Sequence, residues 1–201
     1  MTDFRVQQGS TFSQIVRWET SPVVYKPITG ISKAAPAIVT CVGHGVVDGW
    51  DVAVVSAGGM KQINCTKFDR ETGVALATTK ATVRTADSIE LNAINSAEFT
   101  AYTSGGYLQY NTPVDLDGYL ARMQVKAKLA DTTNLIELDS DLVGGIALDN
   151  IAKTITITLT AAQTTLLNFK SAVYSLEMVS PSGIVTEIVA GKITLDKEIT
   201  R

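Results

Sequence analysis

The sequence predicts an all-β protein of antiparallel strands in sandwich or barrel form. Three observations predict it. Apolar and polar residues alternate with a period of two in the longest patterned runs, Gly and Pro turn signals recur between those runs, and only one short stretch has helical character. A chain of 201 residues is long enough for one sandwich or for two small domains, each with its own core.

At the start of the chain, Phe4 and Val6 alternate up to a Gln8-Gly9 turn, and Phe12 to Trp18 forms a second apolar-rich run, so both segments read as strands. Between Ile28 and Thr112 the texture changes to a dense scatter of Gly, Ala and Asn with short β-branched runs. The pieces Ala37 to Val42, Asp51 to Ser56, Phe68 to Ala77 and Ser88 to Leu91 read as strands, set among His44-Gly45, Asp48-Gly49, Gly58-Gly59 and Gly105-Gly106 turns. Many short strands with glycine turns predict a compact barrel or sandwich.

Alternation returns at Tyr119 to Lys126, where Tyr119, Ala121, Met123 and Val125 share a face. The clearest strand is Thr154 to Thr160, whose Thr-Ile-Thr-Ile-Thr-Leu-Thr pattern places Ile155, Ile157 and Leu159 on one side. Thr160 then serves as the N-cap of a single short helix through Leu167. In Val173 to Val179 the face to bury carries Tyr174, Leu176 and Met178, and Ser180-Pro181-Ser182-Gly183 turns the chain into Ile184 to Ala190, an antiparallel hairpin.

Composition narrows the function classes. Apolar residues make up 45% and charged residues 18%, the balance of a folding globular chain rather than a disordered one. A net charge of -3 opposes binding to a phosphate backbone, so no nucleic acid partner is expected. The opening residues carry Asp3, Arg5, Gln7 and Gln8 instead of an apolar signal core, and no apolar run has the length of a membrane span. Synthesis in a cytoplasm without membrane insertion is the expectation, with Cys41 and Cys65 as free core thiols on neighbouring strands.

The residue types that carry chemistry occur in poor constellations. His44 could serve as base to Cys41 or Cys65, but a histidine between glycines reads as a turn residue, and one histidine with two cysteines falls short of a zinc site. Glu137, Asp139 and Asp141 could form a calcium loop or a carboxylate pair, yet alternate acidic residues beside a turn fit a solvated strand edge. The Gly58-Gly59 and Gly105-Gly106 pairs do not lead from a strand into a helix as a phosphate loop does. Tyr102, Tyr107 and Tyr110 are expected to cluster at a domain junction. The expectation is therefore a non-enzyme with no catalytic residue, no bound cofactor and no metal.

Two family patterns interlock in this chain. Phe4-Arg5-Val6-Gln7-Gln8-Gly9-Ser10-Thr11-Phe12 and the strand to Trp18 resemble the opening of phage tail proteins related to the N-terminal domain of the baseplate upper protein. That family's next piece is present as Val114-Asp115-Leu116-Asp117-Gly118-Tyr119-Leu120-Ala121-Arg122-Met123-Gln124-Val125, displaced by a long intervening segment. The order continues through Gly144-Gly145-Ile146-Ala147-Leu148, the strand to Leu159, Tyr174-Ser175-Leu176-Glu177 and Ser180-Pro181-Ser182-Gly183 to a final strand Gly191 to Leu195. The intervening segment resembles the small β-module of the first-catalytic-cysteine half-domain of ubiquitin-activating enzymes, a pattern also common in phage tail proteins. It does so through Ile31, Pro36-Ala37-Ile38-Val39-Thr40, His44-Gly45, Asp48-Gly49, Gly59-Met60, Ile63-Asn64 and Tyr102-Thr103-Ser104-Gly105-Gly106. Trp50 and Cys65 depart from that pattern.

The resemblance implies an antiparallel β-sandwich host domain, discontinuous over residues 1–27 and 113–201, and an inserted small β-barrel or sandwich module over 28–112. It further implies a structural component of a bacteriophage virion: a tail, baseplate or collar adaptor that supports or surrounds receptor-binding fibres. Its expected partners are other tail proteins, tail fibres and copies of itself in a symmetric ring. A capsid decoration or head-fibre protein, a carbohydrate-binding module and an envelope hydrolase are the alternative readings.

Overall fold

A computed structural model describes residues 2–198; the outermost ends of the expected host domain, residue 1 and residues 199–201, lie outside the described residues. The fold is nearly all β. In chain order the strands are β1 Phe4–Gln7, β2 Phe12–Val16, β3 Glu19–Pro27, β4 Gly30–Ile31, β5 Ala37–Thr40, β6 Asp51–Val55, β7 Thr79–Thr85 and β8 Ser88–Leu91. They continue as β9 Tyr107–Pro113, β10 Leu120–Lys126, β11 Ile136–Asp139, β12 Ile146–Asp149, β13 Thr154–Leu159, β14 Ser171–Val179 and β15 Val185–Asp196, with α1 at Ala161–Thr165 between β13 and β14. The chain divides into two compact units. The first runs up to Trp18 and resumes at Asp115; the second is Glu19–Val114.

The first unit has a five-stranded sheet ordered β1-β15-β14-β10-β11 and a three-stranded sheet ordered β12-β13-β2. Alternation decides what each buries. Ala121, Met123 and Val125 of β10 and Tyr174, Leu176 and Met178 of β14 point into the core, as do Ile155, Ile157 and Leu159 of β13. Phe4 stacks on Tyr174 with centroids 4.5 Å apart and meets Phe12 of the other sheet at 5.7 Å. Burying side chains of this size contributes about 1.5–3 kcal/mol each, so the two inner faces hold the unit together.

The turn at Gln8-Gly9 does not close a hairpin. β1 pairs in parallel with β15, whereas β2 pairs with β13, so the turn carries the chain from one sheet to the other. The Gln8 side-chain amide donates to the Leu167 carbonyl at 3.0 Å and the Thr164 hydroxyl to the Ser10 carbonyl at 2.8 Å, which fixes that crossing to the end of α1. α1 itself starts with a capping box between Thr160 and Gln163. Gly191 does not break the last strand: β15 runs through it, and a Cβ there would lie 2.2 Å from the Thr2 carbonyl oxygen. This glycine lets the N-terminal segment lie against the strand.

In the second unit seven strands form an antiparallel sheet ordered β3-β9-β6-β7-β8-β5-β4. Its two outer strands are halves of one continuous segment: β3 pairs with β9, and after Pro27 the chain bonds to Gly106 and Thr40 before β4 pairs with β5. The sheet therefore curls round on itself like a barrel. It encloses Val39, Trp50, Val52, Met60, Ile89, Leu91 and Leu108, and the Trp50 indole N–H donates to the Asn111 carbonyl at 3.1 Å.

Three local expectations differ from what is observed. Glu19–Pro27 lies in the second unit, not with residues 1–18, because its ladder is with β9. Phe68 to Ala77 forms a single bridge, Phe68 to Ala75, around a tight loop. There the Asp69 carboxylate accepts the N–H groups of Glu71 and Thr72 and the Thr72 hydroxyl, so a local side chain outcompetes a strand ladder. Cys65 follows a short 3-10 turn and is only half-buried, while Cys41 is fully buried; both are free thiols.

Candidate functional site

His44, Tyr110 and Asp139 are engaged in holding the fold. His44 is 1% exposed; its Nδ1 accepts the Val46 N–H at 3.0 Å and its Nε2 lies 2.9 Å from the Thr85 carbonyl. These contacts fix the Nε2-protonated tautomer and leave neither ring nitrogen free to act as a base. The Tyr110 hydroxyl donates to the His44 carbonyl, and burial pushes its ionisation up. Burial also pushes the Cys41 thiol up, which disfavours the nucleophilic thiolate.

Asp139, the last residue of β11, clasps the loop that follows it. One Asp139 oxygen accepts the N–H groups of Gly144 at 3.0 Å, Asp141 at 2.9 Å and Val143 at 2.9 Å, and these bonds, Gly144's foremost, hold its carboxyl below the usual range. Glu137 points instead toward Gln124 and Asn134.

The three tyrosines do not form one cluster. The Tyr102 hydroxyl donates to the carbonyls of Ile28 and Gly105, Tyr110 is buried beside His44, and Tyr107 is exposed, edge-on to Tyr25 at 6.2 Å. Spacing in sequence could not reveal this, because residues 107–110 lie on β9 and its successive side chains face opposite ways. The Gly58-Gly59 pair is a close approach: a Cβ on Gly59 would meet the Ala101 carbonyl oxygen at 2.3 Å.

What remains is surface. On the outer face of the five-stranded sheet, Leu120, Val179 and Val185 sit side by side on β10, β14 and β15, with exposed Ile184 beside them. Next along the strands come polar pairs, Arg122 to Glu177 at 2.7 Å and Ser175 to Glu187 at 2.7 Å. Near the start of β14 an open groove of about 740 Å³ is lined by Arg5, Gln7, Phe169, Lys170, Asp196 and Lys197. No family model and no curated protein matches the chain.

This outer face carries an apolar end and a paired polar middle, while the groove holds Arg5 paired with Asp196 beside Lys170 and Lys197. Apolar area supplies association energy and charged pairs set register, so the face is suited to docking a protein surface. Sequence reasoning missed it because Leu120 is far in the chain from Val179 and Val185, and a lone exposed apolar residue such as Leu120 or Val185 is ordinary.

Proposed function

We propose that the chain is a structural component of a bacteriophage virion, a tail, baseplate or collar adaptor that docks on the tail and supports or surrounds receptor-binding fibres. Its work is to hold partners in register, not to catalyse. The observation that carries the reading is the way the second unit joins the first: Glu19 pairs with Pro113 across β3 and β9. The chain thus leaves the first unit and returns to it on neighbouring strands, where paired residues lie about 5 Å apart. A module attached in this way interrupts its host without parting the host's own ladders, the arrangement that the displaced tail-protein motifs imply.

On this reading the first unit supplies the virion contact and the second an outward appendage. The test is cryo-electron microscopy of the particle whose genome encodes the chain. Copies ringing the tail beside fibres support the adaptor; copies on the capsid favour the decoration reading, and absence from the particle overturns both. Glycan binding is a second reading, favoured by the exposed Tyr25 and Tyr107 rings, and retained glycan affinity after Tyr25→Ala with Tyr107→Ala would exclude this surface from it.

A further inference from the structure

We propose that β2 is a self-pairing edge through which two copies of this chain join their three-stranded sheets into one six-stranded sheet. The inference goes beyond the virion reading and stands on the edge itself. Thr158 donates its N–H to the Gly145 carbonyl, on the β12 side of β13, so the main-chain groups of Ile155, Ile157 and Leu159 face β2. Their partners Val16, Gln14 and Phe12 spend their main-chain groups on β13. Ser13 and Ile15 therefore present their N–H and C=O groups on the open side of β2, the last strand of its sheet. There the Ile15 carbonyl accepts the side-chain amide of its own neighbour Gln14 at 3.0 Å.

The other outer strands carry features that block strand addition, and β2 does not. β1 bears Arg5, β11 bears Glu137 and Asp139, and β12 bears Asp149. β3 has Glu19, Lys26, Pro22, Pro27 and a register shift, and β4 has two residues. Charges, prolines, bulges and shortness are the usual protections of an edge. β2 reads Phe-Ser-Gln-Ile-Val, without charge, proline or bulge, and Ile15 on its outward face is 55% exposed.

A second copy fits this edge through its own symmetry. Antiparallel pairing about Gln14 sets Ser13 against Ile15 of the partner copy, twice, for four main-chain hydrogen bonds, and sets Phe12 against Val16. An aromatic against a β-branched residue is a favourable cross-strand pair, and no like charges meet. Self-pairing of β11 about its centre would instead oppose acidic residues or place them diagonally.

The experiment is sedimentation of the full chain up to about 100 µM, alongside Ile15→Lys and Ser13→Lys, with thermal unfolding as the control for folding. The expected result is a dimer whose dissociation constant rises roughly tenfold or more in whichever lysine variant keeps the wild-type unfolding transition. Gln14→Cys, in a chain with Cys65→Ser, should in addition cross-link as a dimer on mild oxidation, because Gln14 meets its own copy at a closely spaced non-hydrogen-bonded pair. A chain monomeric throughout that range, or a dimer equally tight in a folded lysine variant, overturns the proposal. The virion reading is judged separately, since a chain located on the tail but monomeric loses only the β2 pairing.

Discussion

The two units reach a β-fold by different means. The first is built from strands whose alternation sorts side chains between core and solvent, as in β10 and β14, where every second residue is buried. The second encloses its core with segments joined where backbone passes close to backbone. At Gly106 a Cβ would lie 2.7 Å from the Ala57 Cα, and at Gly59 2.3 Å from a carbonyl oxygen, so these sites admit glycine alone. The first unit rests on alternation with a tight backbone approach at Gly191, whereas the second has such approaches at Gly58, Gly59 and Gly106. Damage of a given kind should therefore fall unequally on the two.

The largest expected effect tests that inequality. Gly59→Ala combines a positive φ of 76° with a collision against backbone, and should cost about 3 kcal/mol or more of the second unit's stability. Hydrogen exchange should show protection lost in β5 to β9 and kept in β10 and β14; equal loss in both would erase the distinction between the units. Trp50→Ala is of the same size, at about 3–5 kcal/mol, since it empties the largest fully buried side chain of the second core. Its signature is the same regional loss in hydrogen exchange.

Alkaline titration probes the first unit. Tyr174 is buried against Phe4, its hydroxyl donates to the Thr2 carbonyl at 2.5 Å, and burial pushes its ionisation up to about 12. A folded-state value above the unfolded one means that the neutral tyrosine's contribution is complete below about pH 10 and is lost as pH rises toward 12. Urea midpoints across that window should fall in the wild type and fall less in Tyr174→Phe. The smallest effect is Thr160→Ala, which removes the cap of α1 and should cost about 1 kcal/mol, read as a shift in the first unit's urea midpoint.

The difference also explains what was legible in the sequence. The runs that became β10, β13 and β14, the Thr160 cap and the Ser180 to Gly183 turn are local patterns, and a local pattern can be read without knowing its neighbours. β3 and β7 were not legible: Glu19–Pro27 contains two prolines, and Thr79–Thr85 mixes small and charged residues, so their strand character comes from the ladders with β9 and β8. The same holds for the surfaces. His44 and the tyrosines draw attention as residue types, yet His44, Tyr102 and Tyr110 serve the fold, whereas the apolar row on the outer face and the uncharged edge of β2 emerge only when strands are set side by side.

The most direct test of two separately cored units is to join Trp18 to Asp115 through a short Gly-Ser linker in place of Glu19–Val114. The trimmed chain should unfold in one cooperative urea transition and keep the alkaline weakening that Tyr174→Phe relieves. A chain with no cooperative transition would contradict the account, because the first unit would then depend on the segment that interrupts it.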